Sequence, residues 1–396
     1  MVLNKELKEA LRKNDMEAVR LLLSDGRVDP SACKNFAIRW ACGNGNTEIV
    51  RLLLDDPRAD PSADDDYAIR FACGNTEIVR LLLADSRVNP AAQENYAIKW
   101  ASRRGYTKVV RLLLDDPRVD PSADNNYAIG LASLNGHLEV VKILLDNSRV
   151  DPAADDNYAI RWSCRHGYTK VAKLLLADSR VNPAADDNYA IRWTSRHGYT
   201  KVVRLLLDDP RVDPSADGNY AIKFASKSGH TEVVRLLLAD PRVDPAADGN
   251  YAIKFASLNG HSEVLRLLLS DPRVNPAADD NYTIRWACRC GQIKVVKLLL
   301  SDPRVDITDK NNEAMSWAEM WNRHKVVALL KTYQRNKIRD EMISLCQMRY
   351  NLLGTSKIGS LPCLIISDIF KELYPTVEIS VLYEISTNII NSICKL

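Results

Sequence analysis

The chain has 396 residues, with 54 Lys and Arg set against 51 Asp and Glu and a formal charge of +3. Such a balance argues against a generally basic nucleic-acid binder. Nine Cys without a pairing pattern argue against a disulfide framework and for a reducing compartment.

Taken in order, residues 1–33 carry two short apolar stripes. Leu7, Ala10 and Leu11 mark one helix, and Ala18, Val19, Leu21, Leu22 and Leu23 mark a second. The first is crowded with Lys5, Glu6, Lys8, Glu9, Arg12 and Lys13, as expected of a terminal repeat with one face toward water. No apolar run precedes Lys5, so no signal peptide is expected. No stretch reaches the roughly 18 uninterrupted apolar residues of a membrane span. An intracellular protein is expected, cytoplasmic rather than nuclear and not secreted.

From residue 34 to residue 312 a single plan recurs. It is marked by an aromatic at Phe36, Tyr67, Tyr96, Tyr127, Tyr158, Tyr189, Tyr220, Tyr251 and Tyr282. The step is 31 residues everywhere except from Tyr67 to Tyr96, where it is 29. The two missing residues fall between Ala41-Cys-Gly-Asn-Gly-Asn-Thr47 and its counterpart Ala72-Cys-Gly-Asn-Thr76, so a local change in that interhelix turn is expected. A fixed period of this length signals stacked supersecondary units and overrides the two or three globular domains that length alone would suggest.

The repeat beginning at Asn188 shows the plan. Tyr189, Ala190, Ile191 and Trp193 open an apolar helix that ends at Gly198. Val202, Val203, Leu205, Leu206 and Leu207 form a second helix, and a Pro- and Asp-rich connector follows. Asn157 and its counterparts stand where a side chain would cap the first helix. The large apolar position at Trp40, Phe71, Trp100, Leu131, Trp162, Trp193, Phe224, Phe255, Trp286 and Trp317 reads as a core column. Connectors such as Asp178-Ser-Arg-Val-Asn-Pro-Ala-Ala-Asp-Asp187 read as a row of acidic fingers, with a β-hairpin as an option.

Residues 313–331 hold a last repeat, in which Trp321 and Asn322 replace the usual polar residue and Gly. Residues 332–354 read as a helix covering the end of the stack, followed by a linker at Gly354–Gly359. Residues 355–396 read as a separate helical segment.

Two antiparallel helices, an intervening Gly and a projecting connector resemble ankyrin repeats. Gly198 and Tyr199 stand at that family's Gly-His turn, and Tyr189-Ala-Ile-Arg192 replaces its Thr-Pro-Leu-His opening. The resemblance covers residues 3–331. The Asn-Tyr-Ala-Ile-Arg-Trp form is similar to ankyrin families of giant DNA viruses and protists. The resemblance implies an all-α ankyrin-repeat solenoid of stacked helix pairs with short connectors, eleven pairs in one elongated right-handed stack, and a small helical C-terminal segment. It also implies a monomeric, non-catalytic scaffold that binds a partner protein through its concave face and connectors. Leu361, Pro362, Ile369, Phe370 and Leu373 resemble the opening of an F-box. That likeness implies an alternative, in which the chain recruits substrates to a cullin-type ubiquitin ligase through an adaptor of the Skp1 type.

Catalysis needs convergent groups, and none are evident. The six His sit in different repeats, Cys288 and Cys290 lack metal-binding partners at finger spacing, and no phosphate loop occurs. Neither cofactor nor metal is expected. The informative feature is a double basic column on the first helices. One row is Arg39, Arg70, Lys99, Arg161, Arg192, Lys223, Lys254 and Arg285. Four residues later comes a second, Arg103, Arg165, Arg196, Lys227 and Arg289, on the same helix face. Connector acids such as Asp186 and Asp187 could neutralise them. Otherwise they form a ledge for an acidic partner, with nucleic acid as the remote alternative. By the resemblance, the positions just before the Gly contact partners. These include Arg103 and Arg104, Arg165 and His166, Arg196 and His197, Lys227, and Arg289, joined on the ledge by Arg161 and Arg192. Gly130 and Leu134 interrupt both columns.

Overall fold

The computed structural model describes residues 5–26, 28–307 and 309–353. The F-box-like residues Leu361, Pro362, Ile369, Phe370 and Leu373, and the expected linker and helices of 354–396, lie outside the described residues. The chain divides into two compact bodies, Met1–Asp244 and Pro245–Leu396. Among the described residues every regular element is helical.

In the first body the helices come in pairs. Lys5–Lys13 pairs with Met16–Ser24, and the series runs through Ala154–Arg165 with Thr169–Leu176 and Ala185–His197 with Thr200–Leu207 to Ala216–Ser228 with Thr231–Leu238. First helices pack on first helices and second helices on second helices of adjoining repeats. Each pair contributes the same buried set. In one repeat it is Ala190 and Ile191 from the first helix, and Val202, Val203 and Leu206 from the second. Ala at the tightest position lets neighbouring first helices approach closely. The second body repeats the plan with Ala247–Leu258 and Ser262–Ser270, Ala278–Cys290 and Ile293–Leu300, and Asp309–Met320 and His324–Leu353. The fold is thus an all-α solenoid of helix pairs joined by short connectors, ending in a small helical segment. The capping helix expected over 332–354 is not a separate helix. No Gly or Pro interrupts residues 324–353, and the last second helix continues through them on a face that includes buried Val326, Leu330 and Ile338.

The shortened repeat changes where expected. The helix Ala63–Phe71 stops early, a 3-10 turn Ala72–Gly74 follows, and the Asn75 side chain accepts from the N–H groups of Glu77 and Ile78 at 3.0 and 3.2 Å. Elsewhere the turn depends on Gly. Gly198 has φ +76°, and a Cβ there would stand 2.5 Å from the His230 ring.

The Cys and Ser that alternate along the first helices occupy the same fully enclosed position in each body. Cys164, Ser195, Ser226 and Ser257 have no exposed surface. The hydroxyls of Ser195, Ser226 and Ser257 find no hydrogen-bond partner among the described residues, so a thiol fits there as well. Burial pushes the Cys164 and Cys288 thiols up to about 12.

Two expectations from the sequence need correction. Asn157 does not cap a helix. It lies in left-handed backbone at φ 59° together with Asp155 and Asp156, whereas a capping residue has extended backbone. The same one-turn left-handed segment opens other first helices, for example at Asp186, Asp187 and Asn188 with φ of 53, 52 and 58°. Such a run costs an ordinary residue about 1–2 kcal/mol per position. Asn, Asp and Gly, which tolerate it best, fill most of these places. The Asn side chain then crosses to the neighbouring repeat. The Oδ1 of Asn157 accepts the backbone N–H of Asn182 at 2.6 Å, and that of Asn188 accepts Asp213 N–H at 2.7 Å. In the second body Asn250 and Asn281 do the same for Asn275 and Asp306 at 2.8 and 3.0 Å.

Nor do the connectors form hairpins or acidic fingers. Most are tight turns closed by their own charges, with Asn147 replacing the Asp in one. Arg180 donates through Nη2 to Asp178 Oδ2 at 2.7 Å, and through Nη1 to the carbonyl of Val150 in the preceding connector at 2.8 Å. Arg211 repeats both contacts with Asp209 and Val181 at 2.7 Å. Hydrogen bonding from Arg180 holds the Asp178 carboxyl below the usual range, against the opposing effect of its burial. These acids are therefore spent within the connectors.

Two outcomes follow. Changing Asn188 to Ala strands the Asp213 N–H and removes a residue suited to left-handed backbone, so it should cost about 2 kcal/mol in urea denaturation. Asn188→Asp should cost less, because Asp66 already plays this part for Asn89 at 2.7 Å. Asp178→Asn should lower the melting temperature at neutral pH. A carboxyl whose folded pKa is depressed stabilises fully above its unfolded value of 3.8 and loses that contribution as pH falls through the folded value. The difference between the variant and wild type should therefore shrink in melting curves recorded below pH 3.8; a difference that stays constant would rule out the charge.

Candidate partner-binding surface

The two basic rows of the first helices meet different environments. The first row is built into the fold. Arg161 donates through Nη1 to Asp186 Oδ2 at 2.9 Å and through Nη2 to the carbonyl of Asp155 at 3.1 Å. Arg192 reaches Asp217 at 2.7 Å and the carbonyl of Asp186 at 3.0 Å. Each guanidinium lies over a tyrosine of the next repeat, Arg161 over Tyr189 at 5.8 Å and Arg192 over Tyr220 at 5.7 Å. In the second body Arg285 is buried and paired with Glu313. These residues close the left-handed turns of two adjacent repeats at once.

Aromatic rings surround the second row. Arg165 sits between Trp162 and Trp193, at 4.5 and 4.8 Å from the ring centres, and donates to the Tyr189 hydroxyl at 2.9 Å. Arg196 sits between Trp193 and Phe224 at 5.0 and 5.5 Å and donates to the Tyr220 hydroxyl at 2.9 Å. His166 stacks on Trp162 and Tyr168, and His197 on Trp193 and Tyr199. Arg104 lies 4.5 Å and Arg103 5.9 Å from the Trp100 ring, while Lys227 lies 5.5 Å from Phe224. In the second body Arg289 is held by Trp286 at 4.3 Å, Trp321 at 4.4 Å and Trp317 at 6.0 Å.

The Trp column is consequently not core. Trp162, Trp193 and Trp286 are only half-buried, because their outer faces carry the Arg side chains; Leu131 alone among the described members of the column is buried. Stacking of this kind is worth about 0.5–1 kcal/mol per contact at an exposed site. It offsets the repulsion between like charges and leaves guanidinium edges toward solvent. Among the described residues no carboxylate lies within ion-pair distance of Arg103, Arg104, Arg165, Arg196 or Arg289. Burial, and then the positive charges of Arg196 and Arg165, lower the pKa of His197.

A model of the ankyrin-repeat family, three copies long, matches residues 7–94, 98–187, 189–280 and 253–340. The chain belongs to the ankyrin-repeat family. A search of curated proteins finds no match.

Within the ankyrin plan, the position after the turn Gly ties adjoining repeats together. His137 contacts the carbonyl of Arg103 and His230 that of Arg196, both at 2.9 Å, and Arg323 takes the same place against Arg289 at 2.9 Å. Sequence reasoning overlooked the connector Arg and its reach to the previous connector. The signal was there, since an Asp two residues before the Arg and a Val 30 residues before it recur with the period, as in Asp178, Arg180 and Val150. Among the described residues no group of three or more His, Cys, Asp or Glu is placed to hold a metal ion. No described helix is long and apolar enough to cross a membrane.

Proposed function

We propose that this ankyrin-repeat chain is a non-catalytic protein-interaction scaffold whose contact surface is the aromatic–arginine ladder of its first helices. The observation that carries this reading is the charge of Arg103, Arg104, Arg165 and Arg196 in the first body and Arg289 in the second. Rings hold these side chains in place, and among the described residues no carboxylate neutralises them. A guanidinium stacked on both faces is pre-organised, so little side-chain entropy is lost when its N–H edge meets a carboxylate. An acidic segment of a partner protein fits that chemistry, with His166, His197 and Lys227 beside it. Arg161 and Arg192, committed to Asp186 and Asp217, support the ladder from behind.

The test is titration of a fluorescein-labelled Asp- and Glu-rich peptide. Changing Arg165 and Arg196 together to Gln should weaken its binding by about fivefold, the scale of one or two exposed charge contacts. Wild-type binding should fall with added salt, since exposed charges are screened over about 8 Å at physiological ionic strength. The control change of Lys170 and Lys201 to Gln, on the exposed side of the second helices, should leave affinity unchanged. Equal binding by the Arg165/Arg196 variant and wild type would defeat the proposal.

A narrower reading, recruitment to a cullin-type ubiquitin ligase, rests on the sequence Leu361-Pro362 ahead of Ile369, Phe370 and Leu373. It predicts co-purification with an adaptor of the Skp1 type that disappears when Leu361 and Pro362 become Ala. Failure of the wild-type chain to retain the adaptor would remove this reading and leave the ladder proposal intact.

A further inference from the structure

One repeat of the first body lacks its own cation. Gly130 stands where other repeats carry Arg or Lys, and a cavity of about 350 Å³ opens beside it, lined among others by Asp124, Tyr127, Gly130, Asp151, Asp155 and Tyr158. The other repeats show what belongs in that space. Arg39 donates to the carboxylate of Asp64 at 2.7 Å and to the carbonyl of Cys33 at 3.1 Å, with its guanidinium 5.1 Å from the centre of the Tyr67 ring. Arg161 and Arg192 make the same three contacts with Asp186, the Asp155 carbonyl and Tyr189, and with Asp217, the Asp186 carbonyl and Tyr220. In each case the carboxylate lies 25 residues after the basic residue and the carbonyl 6 residues before it.

Counting from Gly130, the same register gives the carboxylate of Asp155, the carbonyl of Asp124 and the ring of Tyr158. All three residues line the cavity. The carboxylate of Asp124 is taken by Lys99 at 2.9 Å. That of Asp155 is exposed and, among the described residues, has no cation within ion-pair distance. Tyr127, 40% exposed, forms the outer wall and lies 6.3 Å from Tyr158. The acceptors and the ring that hold an internal guanidinium elsewhere are thus present here without one.

We propose that the Gly130 gap is a seat for an arginine side chain presented by a bound protein. The incoming guanidinium takes the place of the missing internal one, with one N–H edge on the Asp155 carboxylate, another on the Asp124 carbonyl and its face on Tyr158. A planar fork satisfies a carboxylate and a carbonyl together while stacking on a ring, which an ammonium does less well. Lys99, which meets the Asp124 carboxylate and the more distant Glu94, makes no carbonyl contact of this kind among the described residues. The seat recognises a charge opposite to that sought by the ladder and does not depend on the ladder's role.

The test uses the full chain with ring-labelled tyrosine, the Tyr158 resonance being assigned from Tyr158→Phe. Arginine amide should shift the Tyr158 resonance in a saturable way, whereas citrulline amide, equal in shape but uncharged, should not. Asp155→Asn should weaken binding about threefold or more, the scale of an exposed charge pair. That change keeps the left-handed turn, since Asn125 and Asn126 already adopt this backbone. Gly130→Arg should abolish the response by filling the seat from within; its Cβ needs only a small movement of the Tyr158 ring, now 3.0 Å away. An equal response to citrulline amide, equally tight binding of lysine amide, or undiminished binding by Asp155→Asn would each overturn the proposal.

Discussion

Within each body, a side-chain carbonyl from one repeat holds a backbone N–H in the connector that follows. Asn157 to Asn182 and Asn250 to Asn275 are examples. To reach that N–H the Asn must leave the helical path, and the left-handed turn of Asp155, Asp156 and Asn157 takes it there. The turn also offers a backbone carbonyl, that of Asp155 or Asp186, to a neighbouring side chain. Arg161 and Arg192 supply the donors. The fold therefore depends on an unfavourable backbone conformation, offset by a crossing hydrogen bond and a half-buried cation in the same repeat.

That arrangement explains the division of labour between the two basic rows. The row serving the left-handed turns is neutralised by acids of the next repeat, as in Arg161 with Asp186. Among the described residues, the arginines one helical turn later meet rings and tyrosine hydroxyls but no carboxylate, as in Arg165 between Trp162 and Trp193 with the Tyr189 hydroxyl. Its charge is kept in position without being cancelled, which is what a surface for anionic groups requires. Gly130 shows the converse. Removing one structural cation leaves an aromatic and acidic seat, so a single position in the plan yields either a fastening or a recognition element.

The sequence by itself determined the repeat, the helix pairs and their apolar faces. Positions such as Ala190, Ile191, Val203 and Leu206 follow the helical period and recur at fixed spacing, and burial by neighbouring repeats is the only way such short pairs can enclose them. The altered turn at Gly74 and the interruption at Gly130 were equally legible, because each departs from a strict period. What only the tertiary structure decided were contacts spanning repeats. Asn157 has the chemistry of a helix cap, yet in left-handed backbone it accepts the N–H of Asn182 from the next connector. Trp193 has the hydrophobicity of core, yet Ala190 and Ile191 fill the enclosed positions of its helix while it stays half-buried and meets Arg165 and Arg196. Residue type limits which partners a side chain can accept. Which one it meets is set by the register between repeats, 25 residues away for Asn157 and 30 for the Arg180 contact with Val150.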